Sequence, residues 1–336
     1  MTFVLAAVLA VLLTATPPAA RLTTFPIHTP PDTPVLGVSG DVFTVDAQPR
    51  FLLFISYFDA LDATDAVLDE DFQNFSTHGI DGIRIFANWW DCTSMDACKT
   101  PSPRTLMDAS GALRPPQLER LRRILARAAS AHLLVDLTFT RETVRDGDRQ
   151  LDAAGYERGL LAITRELTGK APHVLFDLQN EVEIHGFGPS SETAGNLVRL
   201  RADLKQRDPS RILVASTGSL DLITQITKRG GLDAIAFHDP RVRDWSTRTK
   251  SVVGELKAID KRPIYLQEPT AYQLSGARAG RDDTDVEHFR NALRDARAAG
   301  AAAWTFHTRK GFRLDDRSFT SQMEAGEREF LIDRGR

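Results

Sequence analysis

Short apolar runs alternate with longer amphipathic segments along almost the whole chain. The apolar runs have the length of strands buried on both faces, and they occur at residues 51–55, 82–86, 133–137, 174–178, 211–215, 233–237, 263–266 and 301–306. Segments with helical periodicity occupy about residues 64–78, 115–130, 149–168, 191–207, 220–228, 242–260, 284–299 and 318–331. The pattern predicts consecutive strand-helix units, preceded by a short hairpin at residues 42–50.

Eight such units favour an α/β fold whose parallel strands close into a (β/α)8 TIM barrel, predicted as a single catalytic domain over residues 35–336. The competing doubly wound sheet would place a glycine-rich phosphate loop directly after the first strand. The first strand is followed instead by Ser56-Tyr57-Phe58-Asp59, which contains no glycine. The barrel is therefore the predicted fold.

Two glutamates stand where apolar strands end. Glu181 closes the polar triplet that follows the fourth strand, and Glu268 comes after the seventh strand, preceded by Gln267. In a parallel barrel the carboxyl ends of all strands lie on one face, where the βα-loops build active sites, so we expect these two carboxylates to meet. Two facing carboxylates suit hydrolysis of a glycosidic bond.

Each glutamate also has a purely structural explanation. Asn180 and Glu183 fit a helix N-cap with its capping box. Glu268 precedes Pro269, which pushes it towards extended backbone and fits a solvated loop acid. The pair is harder to explain in this way, because both glutamates follow the same kind of strand. Glu181 and Glu268 are therefore the candidate catalytic residues.

A charged residue interrupts the second strand. Arg84 lies within an otherwise apolar run, and a buried guanidinium is costly unless a carboxylate pairs with it. We therefore expect an acid beside Arg84.

Composition and charge narrow the class of protein. The chain has 336 residues, of which 42% are hydrophobic and 26% charged, as in ordinary globular proteins. The net charge of −3 gives no indication of nucleic acid or an anionic membrane as a partner.

The N-terminus differs from the rest of the chain. Residues 1–20 are apolar and end in small residues and prolines, which predicts a signal peptide, although its first residues contain no lysine or arginine. Residues 21–34 are rich in proline and threonine and are predicted to be a linker. We expect a secreted or periplasmic protein with no membrane span in its mature form. In an oxidising compartment Cys92 and Cys98 would close a small disulfide loop, and the alternative is two free thiols.

The sequence contains no signature of a metal or cofactor site. His185, His238 and His307 lack the paired spacing of a zinc motif, no G-x-S-x-G nucleophile elbow occurs, and glycosidic hydrolysis needs no metal. We therefore predict no cofactor and a carbohydrate as the partner.

Taken together, these residues resemble the retaining glycoside hydrolases of clan A, most nearly the cellulase-like members of family 5. The most specific part of the resemblance is Asn180-Glu181 after strand four together with Glu268 after strand seven. It implies that Glu181 is the general acid/base, that Glu268 is the nucleophile and that Asn180 binds the sugar 2-hydroxyl. It also implies that Arg84 stands beside the nucleophile and that His238 belongs to the site.

The chain departs from this family at several positions. Asp136-Leu137-Thr138 lacks the histidine that commonly follows strand three, and no tyrosine comes shortly after His238. The tryptophan that floors the sugar subsite is either Trp304 or is replaced by His307, depending on the strand register. These departures concern the substrate more than the reaction type.

Two tryptophans after strand two are further candidates for contact with a sugar. Trp89, like Trp90, either stacks on a sugar ring or covers the top of the barrel.

A retaining glycosidase needs one ionised and one protonated carboxyl group about 5 to 5.5 Å apart. Arg84 would lower the pKa of Glu268, while burial and the charge of Glu268 would raise that of Glu181. The predicted function is a secreted retaining β-glycoside hydrolase of a polysaccharide or oligosaccharide. The alternative is a TIM barrel that binds carbohydrate without cleaving it.

Overall fold

The computed structural model describes residues 30–89, 105–139, 152–185, 190–239, 242, 244–269 and 283–333. The predicted signal peptide, residues 21–29 of the predicted linker, Trp90, Cys92 and Cys98 lie outside these ranges.

The strands form two sheets. A small antiparallel sheet contains β1 (Leu36–Ser39), β2 (Val42–Val45) and β3 (Gln48–Pro49). The large parallel sheet contains β4 (Leu52–Ser56), β5 (Gly82–Phe86), β6 (Leu134–Thr138), β7 (Val174–Asp177), β8 (Leu213–Val214), β9 (Ser216–Thr217), β10 (Ile235–His238), β11 (Ile264–Glu268) and β12 (Ala303–Phe306).

The large sheet closes into a ring at β8 and β9. β8 pairs with β7 and β9 pairs with β10, while only Ala215 separates β8 from β9 in the chain. β8 and β9 are thus two halves of one barrel strand, and the other seven strands complete the ring in chain order through the pairing of β12 with β4. The prediction of a (β/α)8 barrel is confirmed.

The helices surround this barrel and follow the predicted periodicity. They are α1 (Asp65–Thr77), α2 (Pro115–Ser130), α3 (Ala153–Leu167), α4 (Val182–His185), α5 (Ser190–Lys205), α6 (Leu220–Lys228), α7 (Thr249–Ile259), α8 (Val286–Ala299), α9 (Phe319–Gln322) and α10 (Ala325–Ile332). Several begin at a polar N-cap side chain that accepts a backbone N–H, as Thr64 does for α1 and Ser219 for α6. None of the helices in the described ranges combines the length and apolar character that crossing a membrane requires.

Some predicted elements have different limits in the structure. The helix predicted at residues 242–260 begins at Thr249. The helix predicted at residues 318–331 is divided into α9 and α10, because Glu324 starts α10 by exchanging side-chain and backbone hydrogen bonds with Glu327 in a capping box. β1 was not predicted, whereas the hairpin at residues 42–50 corresponds to β2 and β3.

The small sheet covers the amino-terminal end of the barrel. Phe43 of β2 is fully buried in an apolar cluster with Leu36 and with inward-facing barrel residues such as Leu52 and Leu134. Its ring meets the ring of Tyr265 edge-on, with centroids 6.4 Å apart. The barrel is therefore closed at this end, which leaves the opposite end for a site.

Candidate active site

Arg84 is the centre of the polar interior near the carboxyl ends of the strands. It lies on β5 between Ser56 of β4 and Asp136 of β6, its partners in the parallel register, and it is completely buried. Its Nη1 donates to Glu268 Oε1 at 2.5 Å, and its Nη2 lies 3.4 Å from Asp177 Oδ2. Burial disfavours the charge of Arg84, but Glu268 and the two aspartates outweigh burial and raise the pKa of the guanidinium. The acid expected beside Arg84 is thus present, and three acidic side chains surround the guanidinium.

Glu268 ends β11 and is 5% exposed. Its Oε1 accepts from Arg84, while its Oε2 lies 3.7 Å from His238 Nδ1 and 3.4 Å from His307 Nε2. Three basic side chains thus surround the carboxyl group of Glu268.

Glu181 follows β7 in an unusual backbone conformation. Its φ angle is +44°, in the left-handed region that costs energy for residues other than glycine and that is often found at functional sites. Its backbone N–H donates to Ser216 Oγ at 3.3 Å, and its Oε1 lies 3.4 Å from His238 Nδ1. The side chain is 17% exposed, more than that of Glu268.

The residues around Glu181 are engaged in contacts other than a capping box. Asn180 Oδ1 accepts from Arg84 Nη2 at 2.8 Å, which leaves its Nδ2 as the donating end of the amide. Glu183 accepts from Thr217 Oγ1 and from the backbone N–H of Gly218, each at 2.6 Å. These contacts fix the loop after β7 against the loop after β9.

The two candidate glutamates face each other. One carboxylate oxygen from each and a ring nitrogen of His238 lie within 4.8 Å of one another. These atoms have the chemistry of metal ligands, but Glu268 Oε1 is already bound by Arg84 Nη1. Asp59, Asp62 and Asp315 form a second acidic group of this kind at the protein surface.

His238 ends β10 and touches both glutamates. Burial disfavours its charged form, but the charge of Glu268 and the hydrogen bond to Glu181 outweigh burial and raise the pKa of His238. Its Nε2 lies 2.8 Å from Gln267 Oε1.

Buried acids lie directly beneath the site. Asp136 Oδ2 accepts from Gln267 Nε2 at 2.6 Å and from the Tyr265 hydroxyl at 3.0 Å. Burial raises the pKa of Asp136 to about 7, even though Arg84 opposes the shift. Gln267 and Asp177 were not predicted as site residues. Asp177 is a polar residue inside an apolar strand, the same signal that identified Arg84, whereas Gln267 follows its apolar run and gave no such signal.

No protein-family model matches the chain, and no curated protein matches it. Among solved structures, the β-mannanase from the blue mussel Mytilus edulis is similar, with a TM-score of 0.59 and 13% identity over 89% of this chain and 96% of that one. The endo-1,4-β-mannanase from Eisenia fetida has a TM-score of 0.57 and 14% identity, over 90% of this chain and 96% of that one. A family 5 glycoside hydrolase mannosidase from Rhizomucor miehei has a TM-score of 0.55 and 11% identity, over 82% of this chain and 85% of that one. The chain has the fold of the family 5 glycoside hydrolases.

Within this family 5 fold, Thr138 occupies the position where the resemblance implies a histidine. Its Oγ1 accepts from Arg84 Nε at 3.1 Å. The missing histidine is thus replaced by a residue that binds the central arginine.

The register of β12 determines which of Trp304 and His307, the two alternatives for the sugar subsite, lies at the site. Trp304 is fully buried on the outer side of the barrel, where its ring packs against Phe330 of α10 with centroids 5.9 Å apart. His307 follows β12 and lies at the site, with Nδ1 2.7 Å from Ser56 Oγ. Trp304 therefore does not contact the site, and His307 occupies the position considered for the sugar floor.

Trp89 lies in an aromatic cluster beside His307. Its Nε1 donates to the backbone carbonyl of Phe312 at 2.7 Å, and it packs with Phe58, Phe86 and Phe312. The rings of Phe58 and Phe312 each have centroids 5.8 Å from the His307 ring. Trp89 is 7% exposed, so it is almost completely covered within this cluster.

Proposed function

We propose that this protein is a retaining β-glycoside hydrolase of a polysaccharide or oligosaccharide, with Glu268 as nucleophile and Glu181 as general acid/base. The observation that carries the proposal is the approach of the two carboxylates, whose oxygens lie within 4.8 Å of one another at the carboxyl ends of the strands. Retaining enzymes hold their carboxyl groups about 5 to 5.5 Å apart, whereas inverting enzymes leave about 6.5 to 9.5 Å for a water molecule.

The difference between the two environments supports the division of roles. Arg84 Nη1 donates to Glu268 Oε1 at 2.5 Å, and a cation beside a carboxylate stabilises the negative charge that a nucleophile carries. Glu181 Oε1 lies 3.4 Å from His238 Nδ1. The hydrogen bond from Arg84 is therefore the reason for giving Glu268 the role of nucleophile and Glu181 that of acid.

In the first step, a Glu268 carboxylate oxygen attacks the anomeric carbon while Glu181 gives its proton to the leaving oxygen. The glycosidic bond breaks and a glycosyl ester forms on Glu268. Asn180, whose Oδ1 is held by Arg84, directs its Nδ2 as a donor for the sugar 2-hydroxyl.

In the second step, Glu181 takes a proton from water as the water oxygen attacks the anomeric carbon. The ester bond breaks, Glu268 leaves as a carboxylate beside Arg84, and the sugar keeps its original configuration. Glu181 ends the cycle protonated.

The solved structures with this fold suggest the first substrates to test. Three of them are described as a β-mannanase, an endo-1,4-β-mannanase and a mannosidase. We therefore propose β-1,4-linked mannans and manno-oligosaccharides before glucans.

We also propose that residues 1–20 direct export and are removed near Ala20. The intact mass of the protein recovered outside the cytoplasm tests this, and a retained Met1 on cytoplasmic protein would contradict it.

The experiment for the proposed function is a panel of β-mannans, β-glucans and aryl β-glycosides, read by reducing ends and by proton NMR of the first product. We expect hydrolysis with a β-configured initial product. An α-configured initial product would contradict the retaining assignment. Binding of a glycan with no cleavage across the whole panel would favour the carbohydrate-binding alternative.

A further inference from the structure

Two consecutive residues of β11 reach the site because the strand pairing is irregular there. Phe237 of β10 pairs with Leu266, but the next residue, His238, pairs with Glu268. One residue of β11, Gln267, is thus passed over, as in a β-bulge. Both Gln267 and Glu268 consequently point towards the interior, where Gln267 is completely buried.

The contacts of Gln267 fix which way its amide faces. Its Nε2 lies 2.6 Å from Asp136 Oδ2 and 3.0 Å from Asp177 Oδ2. Asp177 Oδ2 also accepts from Ser216 Oγ at 3.1 Å and lies 3.4 Å from Arg84 Nη2, so it is an acceptor and its partner on Gln267 must be the NH₂ group. The carbonyl oxygen of Gln267 is therefore the end that faces His238.

That orientation determines the tautomer of His238. Gln267 Oε1 lies 2.8 Å from His238 Nε2 and can only accept, so Nε2 carries a hydrogen. The second ring nitrogen, Nδ1, faces Glu181 Oε1 at 3.4 Å and Glu268 Oε2 at 3.7 Å. Nδ1 is thus the atom at which His238 gains or loses a proton.

We propose that Gln267 is a positioning residue that holds His238 as the Nε2-protonated tautomer, so that Nδ1 shares the acid proton of Glu181. In one form a protonated Glu181 donates to neutral Nδ1, and in the other a protonated Nδ1 donates to the Glu181 carboxylate. Only the shared hydrogen changes its bond between the two forms. The catalytic meaning of this arrangement rests on the proposed function, whereas the tautomer itself does not.

The charged groups around His238 are consistent with this sharing. Glu181 and Glu268 face Nδ1, Arg84 lies behind Glu268, and Asp136 and Asp177 lie behind Gln267. The raised pKa of His238 results from the two glutamates, which outweigh burial and the repulsion from Arg84. If Gln267 presented its NH₂ group to His238, Nε2 would be the acceptor and Nδ1 would carry the fixed hydrogen. The two arrangements are therefore distinguishable by tautomer.

The test is long-range proton-nitrogen NMR of ¹⁵N-histidine-labelled protein without substrate, recorded across a pH series. The variant His238→Gln identifies the His238 signals. His173 is an internal reference, because it donates Nε2–H to the Leu125 carbonyl far from the site and burial lowers its pKa to about 4. We expect neutral His238 to carry its hydrogen on Nε2, as His173 does. A hydrogen on Nδ1 of neutral His238 would overturn the proposal.

Two variants at position 267 complete the test. Gln267→Leu removes the acceptor, and we expect the ratio of the two neutral tautomers to shift about tenfold towards Nδ1–H and the pKa of His238 to fall. Gln267→Glu keeps an acceptor and adds a charge, so we expect the Nε2–H tautomer to persist and the pKa to rise. Unchanged His238 signals in folded Gln267→Leu would overturn the proposal. If Gln267→Leu does not fold, the tautomer of His238 in the parent and in Gln267→Glu tests the proposal.

These measurements separate this inference from the proposed function. A parent protein that cleaves no glycoside but shows the predicted tautomer contradicts only the enzymatic assignment. A parent that is an active glycosidase with the opposite tautomer contradicts only the role of Gln267. For an active parent, the pH profile of kcat/KM should also change in Gln267→Leu, which a purely structural role would leave in place.

Discussion

The two ends of the barrel interior are filled in opposite ways. At the amino-terminal end, Leu52, Leu134 and Phe43 form an apolar layer. At the carboxyl end, Arg84 and Asp136 are equally buried, yet both are charged or ionisable. The apolar layer stabilises the fold through the surface it removes from water, whereas the polar layer is tolerated only because its groups pair with one another. The apolar packing and the buried polar groups are thus separated along the strand direction.

Tyr265 lies at the boundary between the two layers. Its ring packs against Phe43 and Phe54, with centroids 6.4 and 5.1 Å away, and its hydroxyl donates to Asp136. Substitutions on either side of this residue should therefore affect different properties.

The largest expected effect is the loss of turnover in Glu268→Ala. Removing the proposed nucleophile should lower kcat by about 10⁴-fold or more, while the apolar layer keeps the protein folded. Added azide should restore cleavage and give a product of inverted configuration. Glu255→Ala is the matched control, because Glu255 is exposed on α7. Near-parent turnover in Glu268→Ala would refute the nucleophile assignment.

The next largest expected effect, that of Glu181→Ala, depends on the leaving group of the substrate. Glu181→Ala removes proton donation, so cleavage of natural glycosides should fall by about 10²- to 10⁴-fold, whereas aryl glycosides with activated leaving groups should still form the glycosyl ester. Azide should then give a product of retained configuration. Equal losses on both kinds of substrate would argue against Glu181 as the general acid.

At the apolar end, Phe43→Ala should affect stability instead of chemistry. Deleting this fully buried ring should cost about 3 to 5 kcal/mol in the free energy of unfolding, with kcat close to the parent value under conditions where the variant is folded. Urea unfolding provides the measurement. Val38→Ala, on an exposed position of β1, should change the free energy by less than about 0.5 kcal/mol. A large loss of kcat in folded Phe43→Ala would show that the two layers are not separable.

The last expected effect concerns the pH dependence of stability. Burial raises the pKa of Asp136 to about 7, above the ordinary value of 3.8, so between these limits the folded protein holds a proton that the unfolded chain releases. Asp136 therefore makes stability fall as pH rises from about 4 to 7, by at most about 1.4 kcal/mol per pH unit.

Asp136→Asn mimics the protonated acid and should remove this contribution. Urea unfolding at several pH values between 4 and 7 measures the difference between parent and variant. The same dependence in both proteins would mean that Asp136 is ionised throughout this range.

The fold could be predicted because each strand is an apolar run and each helix has its own periodicity. The break at Ala215 could not, since an apolar run such as residues 211–215 contains no signal for where its ladder is interrupted. The division between α9 and α10 was missed because its helical periodicity continues across Glu324.

The site was only partly predictable, for a related reason. Glu181, Glu268 and Arg84 were identified because they are polar where an apolar run ends or is interrupted. The choice between Trp304 and His307 depends on the register of β12, and a strand buried on both faces lacks the alternation of polar and apolar residues that would reveal it. Gln267 reaches the interior only because of the irregular pairing with β10, which is a tertiary feature.

The interruption at Ala215 divides the barrel into two parts, one running from β4 to β8 and the other from β9 to β12. Glu181 belongs to the first part and Glu268 to the second, and the hydrogen bond from Arg84 to Glu268 joins them. Neither part contains both carboxylates, so a partly assembled chain lacks one member of the proposed catalytic pair. Cleavage of a glycoside would therefore report that the two halves of the barrel have come together.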